Sequence, residues 1–232
     1  MNTGNQSAKK GIILMPKQEI WMIRHAKTSE NERHIMIGHT DPPLSENGVQ
    51  DAIALATLLA DQPVSRLFCS PLQRTQATAQ QIAALHQSPL QWTTSPLLQE
   101  IHLGIMEGVS TFNAYDTHRE LMDQALDANL DDFAFPNGEK RSQVADRWEE
   151  FLTTLIPFQD TSPVWVVTHG GLIGLSIAKA LGLPLGAYRQ FQPPHASITR
   201  LMVERSEQKF SRFVTYLTDQ SLENSSAMKD GE

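Results

Sequence analysis

Short apolar runs along the chain alternate with stretches in which apolar residues recur every three or four positions. The runs 19–23 (EIWMI), 65–69 (SRLFC) and 164–168 (VWVVT) are bounded by turn residues and predict buried strands. A helical pattern follows each. Ser45 is placed to cap a helix carrying Val49, Ala52, Ile53, Ala56, Leu59 and Ala60 on one face, and residues 73–86 repeat the spacing with Ala79, Ile82 and Ala83. Val144, Ala145, Trp148, Phe151, Leu152 and Leu155 form a third stripe, and 172–181 a fourth. Near the end, 197–204 (SITRLMVE) and 210–217 (FSRFVTYL) predict two strands joined by a polar turn. Strands alternating with helices indicate an α/β fold with a mostly parallel sheet. Residues 1–17 and 219–232 are polar and aperiodic and are expected to be tails flanking one domain over 18–218.

Composition narrows the function classes. A length of 232 residues suits one α/β domain, and 40% hydrophobic with 19% charged residues is ordinary for a soluble globule. The single cysteine, Cys69, excludes an internal disulfide and a multi-cysteine zinc site, and its place at a strand end predicts a small buried hydrophobe. A net charge of −7 argues against nucleic acid as a partner. No apolar run reaches the roughly 18 residues of a membrane span, so no membrane partner and a cytoplasmic location are expected, as monomer or homodimer.

In open α/β sheets, ligands bind outside the carboxyl ends of the strands. There the three predicted strands deliver Arg24-His25-Ala26, Ser70-Pro71-Leu72-Gln73-Arg74 and His169-Gly170-Gly171. Two arginines and two histidines beside small residues make an anion pocket, to which a helix starting after His169 would add its N-terminal N–H groups. A dinucleotide turn at 164–174 is the competing reading. It fails because the glycines fall at 170, 171 and 174 and no acidic residue occurs between Asp160 and Glu204.

Seven blocks in order then carry a resemblance: Arg24-His25 with Asn31, the run 44–48 (LSENG), 70–75 (SPLQRT), 98–101 (LQEI) before 104–108 (GIMEG), 136–139 (PNGE), 168–171 (THGG) and 196–199 (ASIT). Over about residues 19–205 the chain resembles the histidine phosphatase superfamily, the phosphoglycerate-mutase-like proteins. The resemblance implies a three-layer sandwich with helices on both faces of the sheet. It also implies His25 as the nucleophile that forms a phosphohistidine, with Arg24, Arg74 and a protonated His169 holding the phosphoryl oxygens and Glu100 as general acid and base. Asn31, Gly38 and Gly170 are implied as further phosphate or substrate contacts. No metal and no cofactor is implied, and the partner is a small phosphomonoester. A neutral imidazole is a competent nucleophile near pH 7.

The chain departs from the family pattern at Ala26, where glycine is usual, and at His102 and Ile105, positions often acidic and aromatic in relatives. The remaining histidines, at 34, 39, 86, 102, 118 and 195, show no metal-ligand spacing. His34 and His39 are candidates for the substrate entrance, and His195 reads as a loop residue. Because His25, Arg24, Arg74, Glu100 and His169 are all present, a noncatalytic phosphate-binding module is disfavoured. Residues 116–150 hold ten acidic and four basic side chains. Such a run is ordinarily a solvated helical face. Were it to cap the pocket, it would repel a second carboxylate, and on that basis a phosphatase acting on a sugar phosphate, nucleotide or ribazole phosphate is expected in preference to a phosphoglycerate mutase.

Overall fold

The structure is a computed structural model that describes residues 17–155, 161–205 and 210–216. Six strands form one sheet: β1 (Lys17–Arg24), β2 (Arg66–Cys69), β3 (Trp92–Thr94), β4 (Val164–Thr168), β5 (Ile198–Arg205) and β6 (Phe210–Tyr216), in the order β3-β2-β4-β1-β5-β6. β1, β2, β3 and β4 run parallel, whereas β5 is antiparallel to β1 and β6 to β5. The sheet is thus mostly parallel, as the alternating pattern predicts.

Side-chain alternation along the strands separates two cores and builds the three layers. Ile20, Met22, Val164 and Val166 face α5 (Arg141–Thr154) and α6 (Gly170–Ala180), burying Val144, Trp148, Phe151, Leu152, Leu172 and Leu175. The intervening residues Trp21, Ile23, Leu67, Cys69, Trp165 and Val167 face α2 (Glu46–Leu59) and α3 (Gln73–Leu85) through Leu55, Ala56, Leu59, Ala79 and Ile82. Each such large aliphatic side chain stabilises the fold by about 1.5–3 kcal/mol on full burial. Ser45 caps α2 as expected, its hydroxyl accepting from the Gly48 N–H at 3.0 Å.

Three elements depart from the sequence pattern. Lys17 belongs to β1 rather than to a tail; residues 1–16, the polar turn at 206–209 and both Leu217 and the predicted tail at 219–232 lie outside the described residues. The edge strand β3 is three residues long, too short for a periodic signal. Helix α4 (Thr111–Leu126) buries only Ala114, Met122 and Ala125 and is interrupted at His118 (φ −141°, ψ 41°), which breaks its apolar period. With Met36, Met106, Phe133 and Phe135 it forms a third, smaller core.

Candidate active site

The parallel register brings the predicted groups together. Arg24 pairs with Thr168 and Cys69 with Val167, so the residues just past β1, β2 and β4 emerge side by side. The rings of His25 and His169 are edge-to-face at 5.1 Å. Because β5 runs antiparallel, its entering loop reaches the same end of the sheet and puts His195 against His25 at 5.3 Å.

His25 is 3% exposed, and its Nδ1 lies 2.7 Å from the Ala26 carbonyl. A carbonyl only accepts, so Nδ1 carries the proton and Nε2 keeps its lone pair. Burial, then the charges of Arg74 and Arg24 and the neighbouring His195, hold this imidazole well below 6.5 against the opposing effect of the Ala26 bond. Ala26 is fully buried and its N–H reaches Thr78 Oγ1 at 3.1 Å, so the methyl that replaces the usual glycine is accommodated.

Arg24 donates to the Pro193 carbonyl (2.5 Å) and to His195 Nε2 (3.0 Å). A β-carbon at Gly170 would lie 2.8 Å from its Cζ, so the glycine makes room for the guanidinium. Arg74, fully buried, donates to the carbonyls of Gly38 (2.7 Å) and Thr40 (2.9 Å). Nε of Arg24, Nε of Arg74 and Nδ1 of His169 are buried without an acceptor in the protein. Unpartnered buried nitrogens on two guanidinium groups and an imidazole suit an anion.

Burial, then Arg74, His25, Arg147 and Arg24, push His169 well below 6.5, away from the protonated form that the resemblance implies. Its Nε2 pairs with Ser70 Oγ at 2.8 Å. Glu100 sits at the start of α6, where one carboxylate oxygen accepts the Gly171 N–H (3.0 Å) and the other the Ile101 N–H (2.9 Å). The helix terminus expected to greet the phosphate is therefore partly engaged by the predicted acid. Glu100 lines the cavity together with Arg24 and Gly171, and its charge favours the protonated forms of Arg24 and Arg74.

Two implied contacts also make bonds within the protein. Gly38 gives its carbonyl to Arg74 and its N–H to Glu107 (3.2 Å), and a β-carbon there would lie 2.2 Å from the Ile101 carbonyl; it positions Arg74 from behind. Asn31 lines the cavity, but its Oδ1 accepts from the Thr28 N–H in the cap of α1 (Ser29–Glu32).

The cradle opens into a cavity of about 390 Å³ reached by Arg24, Glu100 and Gly171, with walls from Ile35, Met36, Ile37, Tyr115, Met122 and Leu126. Its only acid is Glu100; the acidic residues of α4, Asp116, Glu120 and Asp123, are exposed. The segment 116–150 thus helps to wall the cavity through Met122 and Leu126 while its acidic side chains stay out of the lining, so the repulsion expected of it is absent there. His34 packs edge-to-face on Phe112 at 4.9 Å, and His39 bonds the Glu100 carbonyl at 2.9 Å, while their neighbours Ile35, Met36 and Ile37 line the cavity in their stead. Cys69 is buried as predicted, and burial, partly offset by a bond to Thr75, pushes its thiol up to about 12. Among the described residues no group of three His, Cys, Asp or Glu side chains is placed to hold a metal ion, and no single helix is long and apolar enough to cross a membrane.

A sequence profile of the Histidine phosphatase superfamily (branch 1) matches residues 20–215. The chain belongs to this superfamily. It is 32% identical over 179 residues to an adenosylcobalamin/alpha-ribazole phosphatase of Escherichia coli, covering 75% of this chain and 84% of that protein. It is 29% identical over 188 residues to a probable phosphoglycerate mutase GpmB of Serratia proteamaculans, covering 81% and 86%. Its fold superposes with a TM-score of 0.75 on a mycobacterial glucosyl-3-phosphoglycerate phosphatase at 26% identity, covering 86% and 98%.

The other superfamily blocks act as scaffold. Arg147 donates to Glu139 (2.8 and 3.0 Å) and to the carbonyls of Leu97 (2.9 Å) and Glu100 (3.1 Å), which pins the strip bearing the acid. Gly104 (φ +56°) turns where a β-carbon would lie 2.0 Å from the Pro136 carbonyl, joining the 104–108 and 136–139 blocks. Sequence reasoning missed His195 and Glu107 as site-building residues. The signal for His195 was its position just before a strand whose antiparallel direction no periodicity reveals.

Proposed function

We propose that this superfamily member is a metal-independent phosphomonoesterase that works through a phosphohistidine on His25. The observation that carries the reading is the His25–Ala26 hydrogen bond, which fixes the tautomer with Nε2 unprotonated in a buried, cationic surrounding. Nε2 attacks phosphorus while the phosphorus–oxygen ester bond breaks, and protonated Glu100 gives its proton to the departing alcohol oxygen. Arg24 and Arg74 stabilise the charge on the equatorial oxygens, and His169 donates a hydrogen bond to them. Water then attacks phosphorus, Glu100 takes its proton, the nitrogen–phosphorus bond breaks, and neutral His25 is restored with release of phosphate.

The cavity volume fits a small metabolite. Its apolar wall beside the cradle supports a phosphorylated sugar, nucleotide or ribazole-type alcohol as substrate, and the ribazole and glucosyl-phosphoglycerate phosphatases among its relatives agree with this class. A mutase would share the phosphohistidine and differ in passing the phosphoryl group to a second substrate hydroxyl. The test is a panel of phosphate monoesters assayed with EDTA, wild type against His25→Ala. Turnover insensitive to chelator and lowered at least about a thousandfold in His25→Ala is expected. Activity lost with EDTA, or retained in the variant, overturns the reading. Bisphosphoglycerate-dependent interconversion of 3- and 2-phosphoglycerate faster than hydrolysis would assign a mutase.

A further inference from the structure

Beyond the cradle, a cavity-lining guanidinium has no hydrogen-bond or ion-pair partner among the described residues. Arg189 lies on the 3-10 turn Leu185–Phe191, which packs on α6, and reaches the cavity together with Tyr188 and Gln192. Its Nε is buried without an acceptor, and its guanidinium forms no ion pair among the described residues. A second guanidinium, that of Arg141, lies against the same Tyr188 ring at 5.4 Å, with Arg189 at 5.7 Å. Arg141 is committed to the fold, donating to the carbonyls of Leu130 (2.5 Å) and Ala125 (2.7 Å), where it closes the end of α4. Asp127 and Asp132 act on Arg141, and neither bonds Arg189. Two like charges share one aromatic ring, and of the two only Arg189 has no hydrogen-bond acceptor among the described residues.

We propose that Arg189 is a second anion subsite in the substrate cavity, so that the preferred phosphomonoester carries a further anionic group, a carboxylate or second phosphoryl, on its apolar body. The planar fork of a guanidinium binds either group in bidentate fashion, and an apolar wall strengthens the pairing. The subsite is distinct from the cradle: Arg24 ends β1, whereas Arg189 enters the same cavity from the 3-10 turn Leu185–Phe191. The proposal rests on the phosphomonoesterase reading and adds its substrate class.

The test compares kcat/KM for matched pairs in wild type, Arg189→Met, Arg189→Gln and Arg189→Lys. One pair is a phosphorylated hydroxy acid and its methyl ester; the other is a bisphosphate and the monophosphate of the same carbon chain. Wild type is expected to favour the anionic member of at least one pair, and the pair concerned identifies the second group. Arg189→Met and Arg189→Gln are expected to lower that preference ratio tenfold or more, chiefly through KM, with Arg189→Lys keeping part of it. A wild-type enzyme that favours the neutral members, or a ratio unchanged in the variants whatever their total activity, overturns the proposal. The readout is a ratio, so a partly unfolded variant still reports. Failure of the underlying phosphatase reading shows separately, as turnover of the neutral members that survives His25→Ala.

Discussion

Glu107 gathers the loop that holds Arg74, and its replacement by glutamine has a worked consequence. One carboxylate oxygen accepts the N–H groups of His39 (2.8 Å) and Leu103 (3.1 Å); the other accepts those of Gly38 (3.2 Å) and Thr40 (2.7 Å) and the Thr40 hydroxyl. Burial alone would raise this carboxyl, but the Thr40 hydroxyl and the amides of Thr40, His39 and Leu103 outweigh it and hold it at about 2 against an ordinary 4.5. At about 1.4 kcal/mol per unit the interaction reaches at most about 3.4 kcal/mol, and because the group is half-exposed, screening brings it to roughly 2 kcal/mol. A carboxyl depressed in the folded state contributes fully above the unfolded value, and the contribution is lost as pH falls from 4.5 through 2. Urea unfolding of wild type and Glu107→Gln is therefore expected to show a gap of about 2 kcal/mol at pH 6 that shrinks by more than half at pH 3. A gap that stays constant between pH 6 and pH 3, or no gap, refutes the reasoning. Since Gly38 and Thr40 also receive Arg74, the variant is expected to lose about tenfold in kcat/KM as well.

Gly171→Ala puts a β-carbon 2.4 Å from Glu100 Oε1 and should lower kcat about tenfold or more for alkyl phosphates while sparing p-nitrophenyl phosphate, whose leaving group needs no acid; equal losses on both would count against Glu100 as the acid. His195→Ala removes the acceptor of Arg24 Nη2 and is expected to cost about tenfold in kcat/KM, with His195→Gln recovering part, and stopped assays at saturating and low substrate resolve this. His195 is held at about 3 by burial and by Arg24, Lys27 and Arg74, so its removal should leave the pH profile unmoved. Because His25 is lowered well below 6.5, kcat/KM corrected for substrate protonation near pH 6 should not fall between pH 7 and 6, and a limb in that interval would mean that the free enzyme's nucleophile titrates there.

The sequence pattern carried the layers and the cradle because both depend on short-range regularities. Ile20, Met22, Val164 and Val166 alternate with Trp21, Ile23, Trp165 and Val167, and that alternation alone assigns them to opposite faces. Arg24 ends β1, His169 follows β4 directly and Arg74 sits in the first turn of the helix after β2, so a parallel sheet had to bring them to one end. What stayed hidden depends on long-range pairing. The direction of β5, which carries His195 into the site, is set by its register with β1 and not by its own residues. The kink at His118 and the outward acids left α4 without a legible stripe, so its contribution of Tyr115, Met122 and Leu126 to the cavity was invisible, and the acidic run suggested a repulsion the lining lacks. The downward push on His169 likewise follows from burial and from Arg74, His25, Arg147 and Arg24 beside it, which only the assembled site reveals.

The phosphohistidine on His25 is tested most directly by rapid quench of the enzyme with a radiolabelled phosphomonoester. Wild type should yield a phosphoenzyme that is stable in alkali and labile in acid, with the label on the peptide containing His25, and His25→Ala should yield none. Label on another residue, or wild-type turnover at full rate without any phosphoenzyme in the transient phase, would contradict the account.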